Sequence, residues 1–186
     1  MQIILLRHGK PKMPEQSIRA DKFNEWIAAY NSASLCDASL PSDETIAIGV
    51  DAKAVICSNL PRSIESAQRL GLQPTFTDSL FCEMEMPYWS FPSPALSPNI
   101  WAVLFRLCWF AGFTSHAESF KDAKVRANNA TNQLIKIAQE HQQVIFIGHG
   151  LLNRFIAKAL LKNGWLGNKN PGKQYWGCGV YTYATI

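Results

Sequence analysis

The stretch that decides the fold is Gln2–Gly9, which reads QIILLRHG. Its apolar run, Gln2–Leu6, is continuous rather than alternating, which is typical of a strand buried on both faces of a parallel sheet. Arg7, His8 and Gly9 follow at once. The stretch therefore predicts a central strand that delivers a basic residue and a histidine to one edge of a sheet.

A second stretch has the same form, because the apolar run Val144–Gly148 leads directly into His149 and Gly150. Ligands of open α/β sheets bind at the carboxyl edge of the strands. A single histidine at a strand end is more often structural. If the two strands are neighbours, however, His8 and His149 face each other across one crevice. Gly150 also opens a predicted helix, whose free N–H groups attract anions.

Other strands and helices alternate along the chain. The further predicted strands are Ala54–Cys57 and Val180–Thr185, and the latter has the aromatic, β-branched pattern of an edge or near-edge strand. The predicted helices are Asp21–Tyr30, Arg62–Leu70, Ser119–Glu140 and Leu151–Lys162, and Asn163–Gly179 is predicted as loop. This alternation predicts an α/β fold, a three-layer α/β/α sandwich around a mostly parallel central sheet.

An aromatic, proline-rich segment from about residue 85 to 118 interrupts the alternation. It contains four prolines and three tryptophans. We predict that it is an inserted cap, packed over one end of the sheet of a single domain that spans residues 1–186. The alternative is an irregular core segment or an oligomer contact, because a stretch rich in Trp and Phe is more often core or an oligomer contact than a substrate pocket.

Composition narrows the classes of function. Apolar residues make up 47 % of the chain, which excludes a disordered protein. The net charge of +4, without a run of three Lys or Arg, disfavours a nucleic-acid partner and suits a small anionic substrate.

The predicted compartment is the cytoplasm. Five widely spaced cysteines without a CxxC argue against disulfides and zinc. The N-terminus predicts no signal peptide, and the apolar run Ile100–Phe113 is too short to cross a bilayer, so no membrane partner is expected. The oligomeric state is not predicted.

Two further segments supply charged candidates. Arg62 stands at the opening of a predicted helix, where the macrodipole disfavours a cation unless an anion is bound nearby. The alternative is a solvated surface arginine. Glu83 and Glu85 are flanked by apolar residues and are candidates for general-acid work, or else solvated loop acids. Ser58 is a candidate capping residue for the turn or helix that follows it.

Taken together, these motifs resemble those of the histidine phosphatase superfamily, which has the phosphoglycerate-mutase-like fold. Arg7-His8-Gly9 resembles the RHG signature, and Gly148-His149-Gly150 resembles the second histidine motif. Residues 58–67, SNLPRSIESA, are similar to SxLxRxxxTA, and residues 81–87, FCEMEMP, are similar to the acid loop FxExELP. Glu118-Ser119 resembles the GES element.

The resemblance implies a phosphatase of the phosphohistidine type that acts on a phosphorylated small molecule. His8 would be the nucleophile, and Glu83 would protonate the leaving oxygen, with Glu85 as the alternative acid. Water would then hydrolyse the phosphohistidine.

The phosphate-binding residues implied by the resemblance are Arg7, Arg62, His149 and the N–H of Gly150. Phosphoryl transfer needs mainly positioning and charge stabilisation, which these groups supply. No metal and no other cofactor is expected.

Some residues depart from the family pattern. Lys10-Pro11 follow RHG where many members have Thr or Ser, and His116-Ala117 replace the Gly before Glu118. These differences argue against a phosphoglycerate-mutase-like phosphomutase more than against a phosphatase. A non-catalytic phosphate-binding module is the other open alternative, whereas a metal-dependent hydrolase lacks HxxxH or HxH spacing. The aromatic segment favours a substrate with an apolar or aromatic part.

Overall fold

In the computed structural model, which describes residues 1–184, strands and helices alternate over most of the chain. The strands are β1 (Gln2–Arg7), β2 (Ala54–Cys57), β3 (Phe76–Thr77), β4 (Gln143–Gly148), β5 (Leu166–Gly167) and β6 (Cys178–Thr182). The helices are α1 (Phe23–Ser32), α2 (Asp43–Gly49), α3 (Pro61–Arg69), α4 (Pro98–Phe110), α5 (Phe120–His141) and α6 (Gly150–Lys162). Short 3-10 turns lie at Ala20–Lys22 and Ser79–Phe81.

The strands form one sheet in the order β3-β2-β4-β1-β6-β5. The first four strands in that order pair in parallel, and β6 runs antiparallel to both β1 and β5. Arg7 pairs with Gly148 in the register of β1 and β4. The histidine motifs that follow these two strands therefore start at the same level of the sheet edge.

Helices cover both faces of the sheet. Alternate residues of a strand point to opposite sides, so each strand contributes to two core clusters. Ile3 and Leu5 pack in one core cluster with α5 and α6, whereas Ile4 and Leu6 pack in another with α3 and α2. The predicted α/β class, with three layers and a mostly parallel sheet, is confirmed.

The differences from the sequence analysis lie mainly at short elements. The predicted loop Asn163–Gly179 contains β5 and the first residues of β6. The predicted strand Val180–Thr185 is shifted toward the N-terminus, and Thr185 itself lies outside the described residues. The strands β3 and β5 have two residues each and α2 has seven, which is too short for a periodic signal.

The aromatic segment contains a 13-residue helix, α4, which the sequence analysis did not predict. Pro98 stands in its first turn, where a missing N–H is tolerated. The inward face is core, since Trp101 and Phe105 are buried and Phe105 lies 5.1 Å from the Phe23 ring of α1. Among the described helices, none has the length and apolar character that a membrane crossing requires.

Candidate active site

The two motif histidines lie side by side at the carboxyl edge of the sheet. The ring centroids of His8 and His149 are 5.0 Å apart, and both rings are almost completely buried. The N–H of His8 donates to the carbonyl of Gly148 at 3.0 Å, which joins the two motifs through their backbones. The expected pairing of the imidazoles across one crevice is therefore present.

His8 is held as a neutral imidazole with one nitrogen available. Its Nδ1 lies 2.7 Å from the carbonyl oxygen of Gly9, and because a carbonyl can only accept, Nδ1 carries the hydrogen. The pKa of His8 is lowered from 6.5 to about 3, chiefly by burial and then by the positive charge of Arg62. Nε2 therefore keeps its lone pair at neutral pH, as a nucleophile requires.

His149 is tied to the motif of the neighbouring strand. Its Nε2 lies 2.8 Å from the hydroxyl oxygen of Ser58, a residue for which the sequence suggested only a capping role. That hydroxyl also accepts a longer bond, 3.4 Å, from the N–H of Leu60. Burial lowers the pKa of His149, and the nearby His8 and Arg62 act in the same direction. The ring is thus fixed and uncharged.

These histidines give the fold a predictable dependence on pH. The unfolded imidazole of His8 binds a proton near pH 6.5, but the folded one binds it only near pH 3. Between these values the unfolded state holds more protons, so the free energy of unfolding rises with pH through this window. We expect that His8→Gln reduces the gain in stability between pH 4.5 and pH 7, as measured by urea unfolding. His141→Gln, at an exposed histidine, should leave that gain in stability as in the wild type. If the gain were equal in the wild type, His8→Gln and His141→Gln, the assignment of the pH dependence to His8 would be contradicted.

Two arginines flank the histidines, and each rests on a tyrosine. Arg62 is 1 % exposed, donates to the carbonyl of Tyr30 at 2.8 Å and lies 4.4 Å from the centre of the Tyr30 ring. Arg7 donates to the carbonyl of Lys173 and lies 4.5 Å from the centre of the Tyr175 ring. These contacts fix the direction in which both guanidinium groups point.

In the described part of the chain neither arginine has a direct ion-pair partner, although the Glu83 carboxylate in the same cleft acts on the charge of Arg62. Among residues 1–184, neither Arg7 nor Arg62 forms a salt bridge, and the Nε of each is buried without a hydrogen-bond partner. Burial lowers the pKa of Arg62. A buried cation without a direct ion pair is costly, so this arrangement fits an oxyanion that accepts from both guanidinium groups.

Two glycines allow close approach at the site. A Cβ on Gly150 would lie 3.3 Å from Nε of Arg7, so a side chain there would press on the guanidinium. A Cβ on Gly9 would lie 2.5 Å from the ring of Trp176, which could not keep its place. The N–H of Gly9 donates to the hydroxyl of Ser66 at 2.9 Å, so serine fills the usual threonine position with a bond between two motifs.

Glu83 lies at the N-terminus of α6. Its carboxylate accepts from the N–H groups of Leu151 at 3.0 Å and Leu152 at 2.9 Å, and from Met84 at 2.9 Å. It lines the same cleft as Arg7 and Arg62. Glu83 is therefore positioned beside the cationic groups, with both oxygens oriented by the backbone.

Glu85 has different neighbours. Its carboxylate accepts from the N–H of Glu118 at 2.5 Å, and the carboxylate of Glu118 accepts from the N–H of Glu85 at 3.2 Å. Glu118 in turn pairs with Arg126, which also donates to the carbonyl oxygens of Cys82 and Glu83. The Glu118-Ser119 element thus holds the loop that carries both acids, and Glu85 serves in that support.

A cleft of about 950 Å³ opens above these groups. Its polar part is lined by Arg7, Arg62, Glu83, Gly150, Tyr30 and Tyr175, and its apolar part includes Trp26, Ile27, Met84, Met86, Ala102 and Phe110. Cys82 is half-buried and also lines this cleft. Within residues 1–184, no group of three or more Cys, His, Asp or Glu has the geometry of a metal site.

Sequence reasoning missed the two tyrosines. Tyr30 ends the predicted helix Asp21–Tyr30, and Tyr175 lies in a glycine-rich loop. Neither position shows periodicity or a motif, so no local signal could have found them.

Solved structures share this fold at low sequence identity. The product of open reading frame Rv3214 from Mycobacterium tuberculosis is similar over 98 % of this chain and 91 % of that one, with 16 % identity and a TM-score of 0.62. A phosphoserine phosphatase from Entamoeba histolytica, solved with 3-phosphoglyceric acid, covers 98 % and 90 % with 12 % identity and a TM-score of 0.60. A mycobacterial glucosyl-3-phosphoglycerate phosphatase covers 87 % and 79 % with 19 % identity and a TM-score of 0.54. A search of curated protein sequences finds no match.

The sequence model of the histidine phosphatase superfamily (branch 1) matches residues 44–171, more than half of the chain. The protein therefore belongs to the histidine phosphatase superfamily. The matched range contains Arg62, Glu83 and His149, whereas Arg7 and His8 precede it and reach the site through β1.

Proposed function

We propose that the protein hydrolyses phosphomonoesters without a metal ion, through a phosphohistidine on His8. The observation that carries the proposal is the buried guanidinium of Arg62, which has no salt bridge among the described residues and a free Nε, beside a neutral His8. A cation without a direct ion pair, adjacent to an available imidazole nitrogen, suits a bound phosphate under nucleophilic attack. The proposed substrate is a phosphorylated small molecule of the cytoplasm with an apolar part.

The proposed reaction has two displacements at phosphorus. Nε2 of His8 forms a bond to phosphorus while the bond to the leaving oxygen breaks, and Glu83 donates a proton to that oxygen. A water molecule then attacks the phosphohistidine, Glu83 takes a proton from it, and inorganic phosphate leaves with His8 neutral again.

Four groups are proposed to stabilise the charge on the phosphoryl oxygens: Arg7, Arg62, His149 and the N–H of Gly150. Three observations support this set: His149 lies beside His8, Gly150 lies beside Arg7, and the charges of Arg7 and Arg62 lower the pKa of His8. Preorganised donors of this kind act without reorganisation during the reaction. The segment 85–118 is proposed to form the cap above them.

The test is hydrolysis of p-nitrophenyl phosphate with EDTA present, together with trapping of the phosphoenzyme. Rapid denaturation in alkali should recover a phosphorylated protein that loses its phosphate in acid, as a phosphohistidine does. Turnover that requires added metal would overturn the proposal. Tight phosphate binding without turnover on any phosphomonoester would indicate a non-catalytic module instead.

Glu83 is expected to be the acid rather than Glu85. Glu83→Gln should lower kcat/KM by roughly 10²- to 10⁴-fold on alkyl phosphates, because a general acid contributes about that much. The loss of kcat/KM should be much smaller on p-nitrophenyl phosphate, whose leaving group needs little protonation. Comparing kcat/KM on both substrates checks the role, because kcat also includes hydrolysis of the phosphohistidine, in which Glu83 acts as the base.

Glu85→Gln is the matched control, since its carboxylate is bonded to the N–H of Glu118. It should keep kcat/KM on both substrates within a few fold. If Glu85→Gln lost turnover and Glu83→Gln kept it, the assignment of the acid would be reversed. If Glu83→Gln lowered kcat/KM equally on both substrates, Glu83 would instead serve only to hold the start of α6.

A further inference from the structure

The outward face of α4 is apolar along its length. Ile100, Val103, Leu104 and Leu107 recur on it at helical spacing, and Phe113 follows just beyond the helix. Each of these side chains has between 42 and 62 % of its surface exposed. Single exposed apolar residues are ordinary, but a stripe of this kind marks an interaction surface.

The segment that carries this face contributes no acid to it, although Glu15 lines the cleft together with Pro98. Residues 86–117 contain no Asp, Glu or Lys, and Arg106 is turned inward to the carbonyl oxygens of Met84 and Glu85. The carboxylates at the two ends of the segment are engaged as well. That of Glu85 accepts from the N–H of Glu118, and that of Glu118 pairs with Arg126.

Cations border the C-terminal end of the face. The ring of Phe110 lies 5.4 Å from that of Phe120, and the Lys124 ammonium lies 4.4 Å from the centre of the Phe120 ring. Phe110 also lines the cleft together with Arg154, which is exposed. Asp122, in the same turn as Phe120, accepts a hydrogen bond from Ser119 and keeps its negative charge. With Lys124 and Arg154 against this one acid, the rim carries more positive than negative charge.

The positive charge of this rim distinguishes between two candidate occupants of the apolar face, a second copy of the chain and a lipid surface. A second copy of the chain would bring two predominantly cationic rims together with no acid of residues 86–117 between them, which is unfavourable. An anionic lipid surface satisfies both features, because the apolar stripe enters the acyl boundary and the cations meet the headgroups. We propose that the outward face of α4 docks on an anionic lipid surface.

The same helix lines the candidate active site, which extends the inference to the substrate. Pro98, Ala102 and Phe110 of α4 line the cleft, so one helix borders both the lipid surface and the space above Arg7 and Arg62. The substrate is then a phosphomonoester with a hydrocarbon chain that lies in that surface. This part rests on the proposed function, whereas the docking does not. Sequence analysis expected no membrane partner, and a peripheral contact of this kind leaves no signal in a search for spanning segments.

The docking is tested by sedimentation of the full chain with vesicles. Phosphatidylcholine vesicles containing phosphatidylglycerol should bind the wild type at least tenfold more tightly than phosphatidylcholine alone. The double change Val103→Glu/Leu107→Glu, at positions that do not line the cleft, should weaken binding to the anionic vesicles at least tenfold. Val50→Glu/Leu166→Glu changes residues that are even more exposed, away from α4, and should bind as the wild type does.

Three results would overturn the docking. The wild type could fail to sediment with anionic vesicles, or the α4 variant could sediment as well as the wild type. Sedimentation velocity could instead show a wild-type dimer that Val103→Glu/Leu107→Glu dissociates, which would make a second copy the occupant. Circular dichroism and hydrolysis of p-nitrophenyl phosphate establish that each variant is folded, and both should match the wild type.

The substrate class is tested by comparing monoacylglycerol phosphate in vesicles with free glycerol phosphate. The wild type should prefer the acylated substrate at least tenfold in kcat/KM, and the α4 variant should lose the preference while it retains activity on glycerol phosphate. Equal kcat/KM for both substrates in the wild type would overturn the lipid substrate. Vesicle binding without hydrolysis of any phosphomonoester would refute the proposed function and leave the docking intact.

Discussion

His8→Gln is expected to abolish hydrolysis of p-nitrophenyl phosphate, with a fall in kcat on the order of 10⁵-fold, as for the loss of other covalent nucleophiles. Glutamine can still hydrogen-bond to the carbonyl of Gly9, so the loop should keep its place. What disappears is the Nε2 lone pair and with it the covalent intermediate. Initial rates with EDTA present, from pH 5 to pH 8, measure the effect.

Two controls make this result specific to the nucleophile. Binding of inorganic phosphate, followed by its effect on the thermal midpoint, should persist in His8→Gln because Arg7 and Arg62 remain. His141→Gln, at an exposed histidine, should leave kcat unchanged. Residual activity above about one hundredth of the wild type, with no contaminating phosphatase, would place the nucleophile elsewhere.

Arg62→Met is expected to have two opposite effects. Turnover should fall about 10³-fold, because a guanidinium on the transferring phosphoryl group contributes on that scale. The thermal midpoint without phosphate should rise, since the change removes a buried cation that has no direct ion-pair partner among the described residues. Thermal unfolding and kcat/KM, measured on the same preparation, test both.

Arg69 offers a matched control on the same helix, α3. Its guanidinium donates to the carbonyl oxygens of Cys36 at 2.7 Å and Ser39 at 2.8 Å, and it does not line the cleft. Arg69→Met should therefore lower the thermal midpoint and leave kcat/KM nearly unchanged. A fall in both midpoint and activity in Arg62→Met would mean that Arg62 acts chiefly as structural support.

The histidine motifs could be predicted from the sequence because they follow strands with a strong local signal. The buried runs before His8 and His149 are continuous, and parallel strands bring their carboxyl ends to one edge. Glu83 and Glu85 could not be told apart, because both have apolar neighbours in sequence. Only the tertiary bonds to α6 and to Glu118 separate them.

The helix α4 escaped prediction for a physical reason. A helix is recognised when one face is apolar and the other polar, but here both faces are apolar, and prolines precede it. Tyr30 and Tyr175 escaped because they reach the arginines only through packing between distant parts of the chain. The sequence thus indicates where strands end, but not which side chains other elements place above them.

The contact between Arg7 and Lys173 spans 166 positions of the chain. β1 is made first, yet its partners in the sheet are β4 and β6, which are among the last elements to leave the ribosome. Such non-local pairing slows folding and leaves an apolar strand uncovered during synthesis. The nascent chain should therefore depend on chaperones until its C-terminal third emerges, and no truncated product can carry a complete phosphate pocket.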